Sequence, residues 1–326
     1  MISKLYLKVI FVFLLFPLLQ SKSCQALTGI SVDQWARFEA SVKNVKKYRN
    51  PYIDVALDVT YKSPEGREIR FWGFYDGGRT WKIRFMPDRI GTWKYDAAFS
   101  DGSAGISGTF ECTRSDIPGM ISVDQTNPQW FGYKGGEHFL VRSFHVGDRF
   151  FAGNWPAIKR KAFLDWLETQ GYNMLSVASH YLNRDAEGRG RGWRTPDLWP
   201  LNAAEYQKME AILDDLADRR IIVYPFAGFF GQNSDFPTNH LEQTEYLKYT
   251  LARIGAYWNI LFNVSGPEPK LKPKEFRNAM TSDDINRLGR QIKKLDIFGH
   301  LLSVHNPSGD DPFRNEDWLS FVLPGL

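Results

Sequence analysis

Tyr257-Trp258-Asn259-Ile260-Leu261-Phe262-Asn263-Val264-Ser265-Gly266-Pro267-Glu268-Pro269 decides how the rest of the chain is read. The run up to Phe262 is apolar and too short for a typical helix. It is closed by a Gly/Pro cluster, which predicts a buried strand. A polar stretch and then a second helical pattern follow. A carboxylate just beyond the end of a buried parallel strand is where barrel enzymes place catalytic acids, so Glu268 is the first candidate for a general acid or base.

The chain on either side has two textures. From about 27 to 125, short runs alternate at period two, as in Ile53, Val55, Leu57, Val59 and Tyr61. Gly77-Gly78 separates Phe71-Trp72-Gly73-Phe74-Tyr75 from Thr80-Trp81-Lys82-Ile83-Arg84-Phe85, which predicts a hairpin. Strands at this spacing, with no helical stretch, indicate a β-sandwich, with Trp35, Trp81 and Trp93 as candidate core. A second domain is expected over 126–326, and from about 137 its strand and helix patterns alternate. Strands are predicted at 139–144, 174–177, 221–224, up to Asn263, at 301–304 and from 321. Helices are predicted over 157–169, after an Asn202 cap with Glu205 three residues on, around Tyr246 to Ile254, and from Thr281. Such alternation predicts a parallel sheet, and the enlarged loops after the strands favour a (β/α)8 TIM barrel. No glycine-rich phosphate loop opens any helix, which argues against a nucleotide fold. Only five to six strands fit before Leu326, so the barrel is expected to be C-terminally truncated.

Composition narrows the class. Hydrophobic residues make up 43%, charged residues 24% and aromatics 15%, with 11 Trp, which fits a globular chain with a sizeable core. Lys4 and Lys8, the apolar run over 9–19 and Cys24-Gln25-Ala26 read as a signal peptide over 1–26. Secretion or periplasmic export is expected, with acylation of Cys24 as a lesser alternative. Removing Lys4, Lys8 and Lys22 takes the formal charge from +4 to about +1, which gives no reason to invoke nucleic acid or an anionic membrane. Cys112 then stands alone, without a disulfide partner or a cysteine-based metal site. No cofactor is implied.

Residues at the ends of the predicted parallel strands share one rim. They are His145, His180, the loop Gly231-Gln232-Asn233-Ser234-Asp235, Asn263 with Glu268, and His305-Asn306; Trp155, Trp193 and Trp199 lie in neighbouring loops. A polar mouth with aromatics around it suits an oligo- or polysaccharide better than a lipid. Glycoside cleavage needs one carboxylic acid to protonate the leaving oxygen and a second carboxylate across the ring. Glu268 fits the first role, and Asn263, His145, His180, His305, Asn306 and Trp155 are candidates for substrate binding. Two other readings stand beside this one. His145, His180 and His305 with Asp235 could ligate zinc, although no His-x-His pair or His-Glu-x-x-His motif is present. The chain could also bind carbohydrate without cutting it.

Phe74-Tyr75-Asp76-Gly77, Arg84-Phe85-Met86-Pro87-Asp88 and Gly91-Thr92-Trp93 resemble the immunoglobulin-like domain of unknown function found ahead of bacterial glycosidase barrels. The stretch from Phe139 through 263–269 to Leu323 is similar to the apiosidase-like glycoside hydrolases, of the broad clan of retaining (β/α)8 enzymes. The resemblance implies hydrolysis of a plant or microbial cell-wall polysaccharide, with Glu268 in the acid/base position after the fourth strand. In many members the acid directly follows the Asn, whereas here four residues intervene. The clan nucleophile follows the seventh strand, beyond the end of this chain, and Asp310, Asp311 and Glu316 are poor substitutes. The chain as given is expected to be inactive or only partly competent.

Overall fold

The computed structural model describes residues 25–146, 150–151, 155–177, 201–225, 228–230, 236–237, 239–266, 280–306 and 312–324. Its first part is two β-sheets packed face to face. Strands β1 (Gln25–Asp33), β3 (Leu57–Lys62), β4 (Glu68–Trp72), β7 (Gly91–Phe99) and β8 (Ile106–Thr113) form one sheet in the order β1-β8-β7-β3-β4. Strands β2 (Phe38–Lys43), β5 (Phe74–Tyr75) and β6 (Thr80–Phe85) form the other, in the order β2-β6-β5. Pairing is antiparallel except between β1 and β8. The period-two pattern sets the facing: Trp93, Tyr95, Ala97 and Phe99 of β7 are buried while their neighbours are not. Rings from the two sheets meet between them, Phe38 stacking on Phe110 at 4.1 Å and Tyr61 on Phe85 at 4.3 Å. Gly77 and Gly78, both in the left-handed region, turn the β5–β6 hairpin. Trp81 and Trp93 are core, whereas Trp35 is half-buried. The ladder of β1 starts at Gln25, so it includes two residues that cleavage after Ala26 would remove.

Strands β9 (Ile121–Val123), β10 (Phe131–Tyr133) and β11 (His138–Phe139) make a small antiparallel sheet. A parallel set follows: β12 (Ser143–Val146), β13 (Met174–Val177), β14 (Ile222–Pro225), β15 (Phe262–Asn263), β16 (Leu302–Asn306) and β17 (Phe321–Pro324). Helices α1 (Ala157–Thr169), α2 (Ala203–Asp218), α3 (His240–Ile254) and α4 (Ser282–Leu295) lie between them. Local chemistry sets the helix starts. The side chains of Asn202 and Asn239 accept two backbone N–H groups each, and Thr281 with Asp284 forms a capping box.

The expected (β/α)8 TIM barrel, truncated or whole, is not what forms. The parallel strands make two three-stranded sheets, β12-β13-β14 and β15-β16-β17, joined by a bridge between Val223 and Ile260. Among the described residues, four α-helices accompany them and no ladder joins β17 back to β12, so the array is open. A barrel needs every strand to have two neighbours; β12 and β17 have one each, and Ser143 and His145 of β12 are exposed. The strand expected over 139–144 is also divided. His138–Phe139 pairs back onto β10, and the chain bends at 140–142 before β12 starts. Asn173 holds the bend by accepting from Arg142 N and donating to Leu140 O.

A buried ionic network fixes the sandwich to the helices. Arg84 on β6 is 3% exposed, Arg253 on α3 0% and Glu210 on α2 5%. Arg253 donates from Nε and Nη2 to the two oxygens of Glu210 at 2.6 and 2.9 Å. Arg84 reaches Glu210 at 2.8 Å, Glu39 at 2.7 Å and the Arg253 carbonyl at 2.6 Å. Asp76 pairs with Arg253 at 2.8 Å and with Lys82 at 3.1 Å. Both guanidinium groups lie over the Phe74 ring, at 4.9 and 4.5 Å. Burial alone would raise the Asp76 and Glu39 carboxyls. The Gln207 hydrogen bond with the Arg253 charge, and the Arg84 charge with the Lys82 hydrogen bond, respectively outweigh it and hold both below the ordinary range.

Arg253→Met leaves Glu210 buried with its main partner gone. It is expected to lower unfolding free energy by about 3–5 kcal/mol, read as a lower urea midpoint. Depressed carboxyl values stabilise the fold fully above the unfolded-state value and lose that effect as pH falls through the folded one. The wild-type melting temperature should therefore drop on acidification below about pH 4, and less steeply in Asp76→Asn.

Candidate functional site

Register decides which side chains share a face of the parallel array. His145, Ser176 and Tyr224 are opposite one another. The Val223–Ile260 bridge carries the parity on to Leu261, Asn263 and Ser265, and the β15–β16 pairing carries it to Leu301, Ser303 and His305. The carboxyl ends of this face thus carry His145, Ser176, Tyr224, Asn263, Ser265, Ser303 and His305. At the amino ends the same face is apolar. Met174, Ile222, Leu261 and Leu301 pack there with Met86, Met120, Ile121, Tyr133 and Phe139, so β9–β11 and their flanks cover this end. The opposite face carries Leu175, Val177, Val223, Ile260, Phe262, Val264, Leu302 and Val304, which join one core with Leu167, Leu213, Leu247, Leu251 and Leu288 of the helices. One face is therefore apolar except for Asn306 at its carboxyl edge, and the other is polar where its strands end.

The polar groups are held in pairs. His145 Nδ1 and Ser176 Oγ share a hydrogen bond of 3.1 Å. Tyr224 and Ser303 meet at 2.9 Å, and Ser303 Oγ also reaches the Phe262 carbonyl at 3.4 Å. A serine has one proton, so the chain of bonds runs from the Tyr224 O–H to Ser303 and from Ser303 to the carbonyl. Burial pushes the Tyr224 phenol well above its usual value. The Ser265 hydroxyl donates to Gly266 O at 2.8 Å. The backbone bonds from Val264 N to Ser303 O (2.9 Å) and from His305 N to Ser265 O (3.0 Å) extend the β15–β16 ladder to the rim. Burial lowers the His305 pKa, so its ring is neutral near pH 7 and offers one donor and one acceptor. The short 3-10 turn Gly228–Phe230 packs beneath Asn263. Gly228 is left-handed, and a Cβ there would lie 2.1 Å from the Asn263 carbonyl oxygen.

The residues expected at the rim are divided by this structure. Asn263 is fully buried and His305 half-buried on the polar face, with His145 exposed at its edge. Asn306 is 2% exposed but, by alternation, belongs to the opposite face; its Nδ2 has no hydrogen-bond partner among the described residues. Trp155 packs just ahead of α1, 5.6 Å from Phe150 and 5.5 Å from Phe163, with Lys159 Nζ 4.9 Å over its ring. Glu268, His180, Asp235, Trp193, Trp199, Asp310 and Asp311 lie outside the described residues. Among the described residues no three His, Cys, Asp or Glu come together as a metal site. Cys112 is buried, and burial pushes its thiol to about 11, as suits an inert core side chain. Ser176, Tyr224, Ser265 and Ser303 are not singled out by strand-end reasoning. The signal for them is a polar residue at every second position: Ser143 and His145, Asn263 and Ser265, Ser303 and His305.

The described strand-end residues at this rim include no Asp or Glu. The described groups at this rim are hydrogen-bond donors and acceptors suited to hydroxyl-bearing groups.

Residues 31–100 match the family described as "Domain of unknown function (DUF5060)". A search of curated proteins found no match. By fold the chain is similar to the crystal structure of a candidate glycoside hydrolase from Bacteroides vulgatus ATCC 8482, with TM-score 0.71 and 22% identity over 91% of this chain and 60% of that one. The chain thus spans 60% of that neighbour's length. A glycoside hydrolase family 5 structure from the same organism gives TM-score 0.44 at 17% identity, over 63% of this chain and 43% of the other. A structure titled only as a glycoside hydrolase gives 0.46 at 16%, over 63% and 45%. The first of these shows a shared fold.

Gly228→Ala tests the support beneath Asn263. Gly78 is also left-handed, but a Cβ there would have nothing within 4 Å, so Gly78→Ala bears backbone strain alone, about 1–2 kcal/mol. Gly228→Ala is expected to lower the urea midpoint clearly further, and equal losses would show that the turn does not brace the rim.

Proposed function

We propose that the chain is part of a secreted glycoside hydrolase that acts on a cell-wall or plant polysaccharide. The observation that carries this reading is the segregation on one face of the parallel array. Hydroxyl, imidazole and amide groups line the carboxyl ends of successive strands above a mostly apolar floor, and the other face is apolar except for Asn306. Neutral hydrogen-bonding groups fixed by their neighbours suit the many hydroxyls of a sugar. The fold shared with a candidate glycoside hydrolase supports the same reading. Export rests on the leader pattern over 1–26, and the domain limits on the change of texture, with an immunoglobulin-like sandwich over 27–125 and the hydrolase part over 126–326.

In this reading Glu268, two residues past Gly266, is the general acid that protonates the leaving glycosidic oxygen and then the base that activates water. Its pKa would be raised by a dry pocket. Asn263, His145, His305 and the Tyr224–Ser303 pair hold ring hydroxyls, and His180 and Trp155 complete the substrate contacts; Asn306, on the opposite face, is left out. The second carboxylate belongs to a segment beyond these strands, as the apiosidase-like resemblance implies.

The test is hydrolysis of a polysaccharide panel by the full-length gene product. Glu268→Gln is expected to lower kcat by about 10²–10⁴-fold, the usual contribution of a positioned acid or base, without changing the melting temperature. His145→Ala should act mainly on KM. Turnover that survives Glu268→Gln would remove Glu268 from the mechanism.

A further inference from the structure

Apart from the strand rim, the molecule has an aromatic cleft of about 110 Å³ where the sandwich meets α3. Its walls come from the loop before β3, from the β4–β5 edge and from the exposed side of α3. Tyr52 stands perpendicular to Tyr75, with ring centroids 5.1 Å apart at 88°. Trp72 forms the adjoining wall and is fixed there, because its indole Nε1 donates to the Lys248 carbonyl at 2.7 Å. All three rings are half-buried. Three charged groups join them: Asp58, exposed on β3, and Glu245 with Lys248 on α3, 3.5 Å apart. The Lys248 ammonium stands 6.0 Å from the Trp72 ring centre, at the outer limit of cation–π attraction.

We propose that this cleft is a second carbohydrate-binding site, one that holds a single pyranose ring of a glycan chain outside the strand rim. A pyranose has C–H faces that pack on aromatic rings and an equator of hydroxyls that bond to charged side chains. Rings at right angles with carboxylates and an ammonium at the margin match both features. The volume is below the roughly 300 Å³ of sites that engulf a small molecule, so the cleft seats one ring and leaves the chain on either side in solvent. The walls need no rearrangement, because Trp72 and Tyr52 are both anchored by backbone hydrogen bonds, the latter from Ala203 N to the Tyr52 hydroxyl at 3.1 Å. The ligand class follows from the cleft itself and does not depend on catalysis at the rim.

Affinity electrophoresis of the full chain through gels holding xylan, glucomannan, mixed-linkage β-glucan, arabinogalactan or pectin tests the proposal. Titration of tryptophan fluorescence with the retarding polysaccharide adds a second readout, since Trp72 and Trp81 line the cleft. At least one polysaccharide should retard the wild type. Ala56→Trp, which fills the cleft from an exposed position, and Asp58→Ala should each weaken that retardation about tenfold or more, with melting temperatures unchanged. Measured in a Glu268→Gln/His145→Ala background that weakens the rim, retardation should persist and still be lost on Ala56→Trp or Asp58→Ala, which separates this site from the rim. Retardation that survives both cleft variants in that background, or none on any of the five gels, overturns the proposal; turnover that survives Glu268→Gln overturns only the reading of the rim.

Discussion

The arrangement depends on three buried charges that meet over one phenylalanine ring. Arg84 comes from the sandwich, Glu210 and Arg253 from neighbouring helices, and Asp76, Glu39 and Lys82 close the network at its edges. The six side chains carry three positive and three negative charges. Desolvating them is unfavourable, and only near-complete pairing offsets it. That pairing exists in one relative placement of β5, β6, α2 and α3, so the network selects a geometry more than it adds stability. An apolar contact of the same area would tolerate sliding. A guanidinium that bonds both oxygens of Glu210 while lying on Phe74 does not.

The placement reaches the rim through the helices. Leu213 of α2 and Leu247 and Leu251 of α3 share one core with Val223, Phe262 and Val264. Fixing the helices against the sandwich therefore fixes the strands they cover. Among the described residues, no helix packs in the apolar cluster of the other face. Apolar packing against the β9–β11 region at one end gives way to hydrogen-bonded polar groups at the other. A buried polar group is tolerated only if it has a partner. The Tyr224–Ser303 and His145–Ser176 pairs supply such partners between strands, so the same bonds satisfy the rim and register the sheet.

Much of this was legible in the sequence, and what was not has a physical reason. The helix over 157–169 and the caps at Asn202 and Thr281 follow from short-range patterns, which tertiary packing here does not override. The strand at 174–177 was equally plain. Asn263, His145 and His305 could be picked out because strand ends are readable and polar residues there are few. Tyr224 was hidden inside a run that reads as uniformly buried, since one polar residue in a four-residue strand does not reveal its face without the register of its neighbours. Closure of the array was misjudged because alternation of strand and helix specifies parallel pairing but not whether the first and last strands meet. The ionic network was also invisible: Arg84, Glu210 and Arg253 are far apart in sequence and look like surface residues on amphipathic elements.

The rim's lack of strand-borne carboxylates follows from the same constraints. A carboxylate among Asn263, Ser265 and Ser303, all fully buried, would need a cation or several donors to remain charged. The Tyr224–Ser303 pair found there is neutral and uses its hydrogen bond to hold the strands. Groups that must change protonation state during a reaction cannot also be fixed partners in the sheet, because each proton transfer would break a bond that sets the register. On the proposed reading, such groups would lie beyond the strand ends, as Glu268 does in sequence. On that same reading, the strands would supply fixed contacts to a bound sugar, and the segments after them the acid and the base.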